Sequence, residues 1–199
     1  MEKFEIQPQK IKIPERVIAA RMGFRGIGRI PQEFKKVYDD VYSLAMKIAK
    51  PQAVVEDHVV LSSNEEGVEI DELKIKGKLA LSQLSKSVKI SALLVTLGKA
   101  IDEEVSYLHE SGEELASFML DSIGSELVEY TARFVDGILR EKRKLKGSAR
   151  ISPGYVDLPL SLNLWFAKKM GKEISVVCDE ESFIFIPRKT ISAFIGWSN

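Results

Sequence analysis

The sequence predicts an α+β fold, with a mainly antiparallel sheet and flanking helices. Three observations carry that expectation. Strand-like and helix-like segments mix without the regular alternation of a βαβ repeat. Residues 88–97 form a β-branched, strongly apolar run of the kind that fills a central strand. Residues 113–145 read as one long amphipathic helix. A length of 199 residues suits a single domain. Within it, residues 1–50 read as an N-terminal helical extension and residues 51–199 as an α+β core.

Taken in order, residues 3–13 alternate loosely through Phe4, Ile6, Ile11 and Ile13 and suggest extended chain. Pro14 suits the first turn of a short helix reaching Met22. Gly23 to Gly28 is a breaker that follows a helix rather than a strand. It lacks the Lys-Ser/Thr end of a phosphate loop, so it reads as a turn. Pro31 opens a second helix to about Lys50, with Phe34, Val37, Tyr38, Val41, Leu44, Ala45 and Ile48 at helical spacing. Strands are expected over 53–62 and 68–76 around an Asn64–Gly67 turn, and a short helix over 77–86. Helices follow over 99–110 and 113–145. The stripe of the second is Leu115, Phe118, Met119, Ile123, Leu127, Tyr130, Phe134 and Ile138, with Gly147 as its C-terminal stop. A helix over 159–170 and strands over 173–178, 182–186 and 190–197 complete the chain.

Composition narrows the function. Lys plus Arg and Asp plus Glu each number 29, so the basic excess of a nucleic-acid binder is missing. The local basic run from Arg140 to Lys146 reads as a solvated helix C-terminus, where cations suit the macrodipole. The single cysteine, Cys178, lies in an apolar run and reads as a core residue in a reducing compartment. The start has no apolar signal core, and no run reaches membrane-spanning length. A cytoplasmic protein without nucleic-acid or membrane partners is the expectation.

His58 and His109 are the two histidines, and neither joins a cluster with metal-ligand spacing. No Gly-x-Ser-x-Gly elbow occurs. Composition and periodicity therefore single out no catalytic residue and no metal site. The informative segment is Arg150-Ile151-Ser152-Pro153-Gly154-Tyr155. Pro153-Gly154 forces a turn, and Gly154 lets another molecule approach the backbone. Tyr155 offers a ring face, and Arg150 a planar fork suited to a carboxylate. An amino-acid-like ligand with a flat base matches that set; a surface turn with a bystander arginine matches it too.

Arg-x-x-Pro-Gly-Tyr after a long helix resembles the signature of the activation domain of cobalamin-dependent methionine synthase. Asp121 to Tyr130, with a spaced Asp and the Glu129-Tyr130 pair, is similar to that family's helix. Glu181-Ser182-Phe183, Pro187 and Ile191 to Trp197 are similar to its ending. The likeness spans roughly residues 115–197. It implies a domain that binds S-adenosylmethionine in a shallow groove and presents the methyl group to inactive cob(II)alamin. The electron would come from flavodoxin or another reductant. It also implies that Arg150 holds the ligand carboxylate, that Ser152, Pro153, Gly154 and Tyr155 hold the remainder, and that Glu129 lines the groove. The sequence has no cobalamin-binding Asp-x-His-x-x-Gly motif. Cobalamin would therefore arrive on a partner, a methionine synthase lacking its own activation domain. An accessory or scaffolding protein of another corrinoid methyltransferase, with or without ligand, is the alternative.

Overall fold

The computed structural model describes residues 1–24 and 29–199. Most of the turn predicted between Gly23 and Gly28 lies outside the described residues. The chain runs β1 (Glu2–Glu5), α1 (Glu15–Arg21), α2 (Gln32–Ile48), β2 (Gln52–Asn64), β3 (Gly67–Ile70), β4 (Leu73–Ile75), α3 (Lys78–Leu84) and β5 (Lys89–Thr96). It continues through α4 (Ala100–Glu110), α5 (Glu114–Arg143), β6 (Lys146–Gly147), α6 (Leu162–Met170), β7 (Val177–Cys178), β8 (Phe185–Ile186) and β9 (Thr190–Ser198). Seven strands form one sheet in the order β4-β3-β2-β5-β9-β6, with β1 also on β2. Every pairing in it is antiparallel. The α+β expectation with a mainly antiparallel sheet therefore stands. Among the described residues no helix is long and apolar enough to cross a membrane.

The run at 88–97 is central because both of its faces are covered. β5 lies between β2 and β9, and its residues from Ile90 to Thr96 are all buried. Strand alternation sends Leu93 and Val95 to one face and Ala92 and Leu94 to the other. The first face packs on α1, α2, α4 and α5, and the second on α3, α6 and the turn through Ile174 and Val176. Helices thus sandwich one sheet between two cores.

Several elements differ from the sequence expectation for local reasons. The extended segment at 3–13 is a strand only to Glu5, after which Pro8–Lys10 forms a 3-10 turn. The strand over 68–76 is a hairpin, because Asp71 takes a positive φ of 43° and reverses the chain. The first part of 173–178 is a 3-10 turn, and 182–186 is extended only at Phe185–Ile186. Helix α5 ends at Arg143 with Lys144 in the left-handed conformation, not at Gly147. Gly147 serves packing instead: a Cβ there would stand 2.6 Å from the Arg140 guanidinium and 2.9 Å from the Trp197 ring.

The basic run at the end of α5 is not simply solvated. Arg140 pairs with Asp136 and donates to the carbonyls of Gly147 and Ser148. Arg143 pairs with Asp57 at 2.7 Å and lies over the Trp197 ring. Lys142 pairs with Glu2.

Candidate functional site

The loop from Ser152 to Leu158 is held by the chain around it. Ile151 bridges to Phe194 of β9 through both backbone hydrogen bonds. Gly154 N–H donates to Leu158 O, and Leu158 N–H donates to Tyr155 O. Asp157 accepts from the backbone N–H groups of Lys78 and Leu79, so the loop caps the first turn of α3. Those two bonds hold the Asp157 carboxyl below the usual carboxylate range. Gly77 permits the approach, since a Cβ there would meet Asp157 atoms at 3.0 Å. Gly154 adopts φ +87°, as its turn requires. Val156 also has positive φ, 55°, which a β-branched side chain rarely tolerates, and it is 87% exposed. Backbone held in such a conformation at an exposed loop tip concentrates at binding sites.

Two grooves meet at this loop and share Glu129, Ser152 and Tyr155. One, of about 290 Å³, lies toward α3 and includes Arg150, Val156 and Gln83. The other, of about 280 Å³, lies toward β9 and includes Pro153, Asn163, Arg188 and Lys189. The structure thus brings Arg150, Ser152, Pro153, Tyr155 and Glu129 to adjoining surfaces. Gly154 shapes their turn without lining either groove. The exposed Tyr155 ring stands between the two as a flat apolar surface.

Arg150 and Glu129 form an ion pair at 2.5 Å, with side chains 15% and 27% exposed. The second terminal nitrogen of Arg150, Nη1, is buried and has no hydrogen-bond partner among the described residues. An unpartnered buried N–H of a charged group is costly, so this side chain favours any acceptor that reaches it. The donor set therefore suits a zwitterionic amino-acid ligand: guanidinium for a carboxylate, Glu129 for an ammonium.

The sequence reading missed residues that arrive from distant segments. Asn163 of α6 is buried, accepts from Ser192 Oγ at 2.7 Å and donates to Phe183 O. Lys189 is buried, crosses α5 where Gly124 leaves space, and reaches Asp121 Oδ1 at 2.7 Å and Ser125 Oγ at 3.0 Å. The signal available for Asn163 was a polar residue inside an apolar stretch, whereas Lys189 stands among polar neighbours and gave none. His58 belongs elsewhere: it is buried against Trp165 and bonded to Asp71. Cys178 is half-buried, and burial raises its thiol pKa, which disfavours the reactive thiolate. Among the described residues no three His, Cys, Asp or Glu side chains are grouped to hold a metal.

Fold and loop together define a class: an α+β domain with helices on both faces of one antiparallel sheet and an open, motif-lined groove against the middle of the long helix. A solved structure of that class is the reactivation domain of MetH bound to AdoHcy, which this chain matches with a TM-score of 0.73. The match covers 98% of this chain and 77% of that one at 15% sequence identity, so the chain has the reactivation-domain fold. No family model matches the sequence. A search of the curated proteins finds no match either.

Proposed function

We propose that this chain binds S-adenosylmethionine in the motif groove and acts as a reactivation subunit. It would support reductive methylation of cob(II)alamin on a partner, a cobalamin-dependent methionine synthase lacking its own activation domain. The observation that carries the reading is the Arg150–Glu129 pair, with its spare buried guanidinium nitrogen beside the Pro153-Gly154-Tyr155 turn. The fold it shares with a domain solved with AdoHcy bound supports the reading.

When bound, S-adenosylmethionine supplies an activated methyl group on a positively charged sulfur. The chain's own residues orient it. Arg150 holds the carboxylate through a charge-assisted hydrogen bond, and Glu129 faces the ammonium. The Tyr155 ring gives a flat surface for the base. The backbone of Ser152 to Tyr155 fixes the position between them, so the contribution is positioning rather than acid–base work. Both grooves are open, and an open site suits a methyl group delivered to a bulky corrin ring on another protein. The reductant, flavodoxin or another donor, would act on that partner.

Calorimetry tests the binding step. The Arg150→Ala variant should bind S-adenosylmethionine roughly ten- to hundredfold more weakly, as loss of a hydrogen bond worth about 1.5–3 kcal/mol implies. The trans step is read by the visible spectrum of methylcobalamin, using cob(II)alamin-form methionine synthase without its activation domain, a reductant and S-adenosylmethionine. Methylcobalamin should form only when this chain is added. Equal formation without it, or full activity of Arg150→Ala at limiting S-adenosylmethionine, would overturn the proposal.

A further inference from the structure

At the far end of β9 the molecule has another opening, which borders the α3-side groove at Gln83. It has a volume of about 220 Å³ and lies between the end of α3, β6 and the end of β9. No Asp or Glu lines it. Two lysines do, Lys86 just past α3 and Lys146 on β6, together with the hydroxyl residues Ser87, Ser148 and Ser198. The cations around it are engaged: Arg140 with Asp136, Lys142 with Glu2 and Arg143 with Asp57. Lys86 and Lys146 have no carboxylate in ion-pair range among the described residues, and both are exposed.

The pocket wall is built closely. A Cβ on Gly196 would stand 2.1 Å from Ser87 Oγ, and one on Gly147 2.6 Å from the Arg140 guanidinium. Ser87 is buried, and its hydroxyl lies against Gly196 on the pocket wall. Arg140 lies behind the wall, donating to the carbonyls of Gly147 and Ser148 at 3.2 and 2.7 Å. A lysine following α3 is explained by the carbonyls that end that helix. A second lysine from β6, facing the same carboxylate-free cavity, is not. Two ammonium groups on one opening repel each other, and an anion between them turns that repulsion into attraction. An ammonium is a point charge suited to phosphate, and a hydroxyl adds a directed donor.

We propose that this pocket binds a phosphate group, either as the free ion or as the monoester of a small ligand. Lys86 and Lys146 supply the charge, and Ser87 Oγ the directed hydrogen bond. The site is a second one, and it shares Gln83 with the α3-side groove.

The test follows the backbone amide resonances of Ser87, Gly147 and Gly196 during titration with sodium phosphate. Sodium chloride at matched ionic strength is the control, because screening alone acts on all exposed charges. Saturable shifts with phosphate are expected. The Lys86→Gln/Lys146→Gln double variant should weaken them at least roughly tenfold, as loss of two charged contacts implies. Both side chains are exposed, so its unfolding temperature should match wild type. Non-saturating shifts, shifts equal in chloride, or undiminished binding by a folded double variant would each overturn the site. A nucleoside monophosphate arm separates the two sources. Competition at the same resonances assigns a monoester, and phosphate binding without competition assigns the free ion.

Discussion

Asp57 shows how much one side chain can join. Its carboxylate accepts from Arg143 at 2.7 Å and from Ser91 Oγ at 2.6 Å. Ser91 Oγ in turn accepts from the Trp197 indole at 2.7 Å, and Arg143 lies over that same ring. One carboxylate thus ties β2, β5, β9 and the end of α5 together. Burial pushes its pKa up, but the Arg143 and Ser91 hydrogen bonds and the charges of Arg143 and Lys89 together outweigh burial and hold it below the usual range. The folded value is therefore the depressed one. Its stabilising contribution is present above the unfolded carboxylate value of about 3.9 and is lost as pH falls through the folded value. Urea unfolding midpoints measured from about pH 6 down to about pH 2.5 should fall less steeply for Asp57→Asn than for wild type across that acid range. Parallel curves would show that Asp57 does not carry the dependence. None of this network was readable from sequence. Asp57, Ser91, Arg143 and Trp197 are far apart in the chain, and each alone is an ordinary polar or aromatic residue. Arg150 was legible because its motif is contiguous; its partner Glu129 came from the resemblance, and their pairing only from the fold.

At the scale of elements, the motif loop and α3 depend on one another. Asp157 caps a helix only seven residues long, Lys78–Leu84, which is too short to persist by propensity alone. Asp157→Ala should lower the thermal unfolding midpoint and weaken binding in the groove beside Tyr155. Asp157→Asn keeps the acceptor and should restore most of both. If Ala and Asn behave alike in both measurements, the cap does not position the loop. The elements themselves were largely legible, because apolar periodicity is a local property. Their faces were less so. In α5 the sequence stripe took Leu115, Phe118 and Phe134, which the structure leaves exposed at 41%, 50% and 36%. Met119, Ile123 and Leu127 of that stripe are buried as expected, and the buried face continues through Ala116, Thr131, Val135 and Leu139. Ala116 and Thr131 fit on that face where α2 and α4 pack directly on α5, and the Thr131 hydroxyl is satisfied by Leu127 O at 2.7 Å. Hydrophobicity alone favours the large side chain; close packing favours the one that fits.

The whole molecule has one sheet and two cores, and the sheet couples them. Leu93 and Leu94 are neighbours on β5, both 0% exposed, and belong to opposite cores. Truncating either to Ala should cost about 2–5 kcal/mol, since each removes a fully buried side chain from packed surroundings. If the domain unfolds as a unit, the damage is shared: loss on one face weakens the strand that builds the other. The chain carries its own reporters. Trp197 is buried in the core under α5, and Trp165 packs on the core under α6. Single-tryptophan versions made with Trp165→Phe or Trp197→Phe each report one side of the sheet. In urea, Leu93→Ala and Leu94→Ala should each shift both fluorescence transitions by the same amount, and the two transitions should stay coincident. A Leu94→Ala variant in which the Trp165 signal is lost at lower urea than the Trp197 signal would show two separately stable halves. The motif loop lies between Ile151, in the core under α6, and Glu129 on α5, so independent halves would also let the groove come apart without global unfolding. Coincident transitions imply the reverse: the groove geometry persists for as long as the domain is folded.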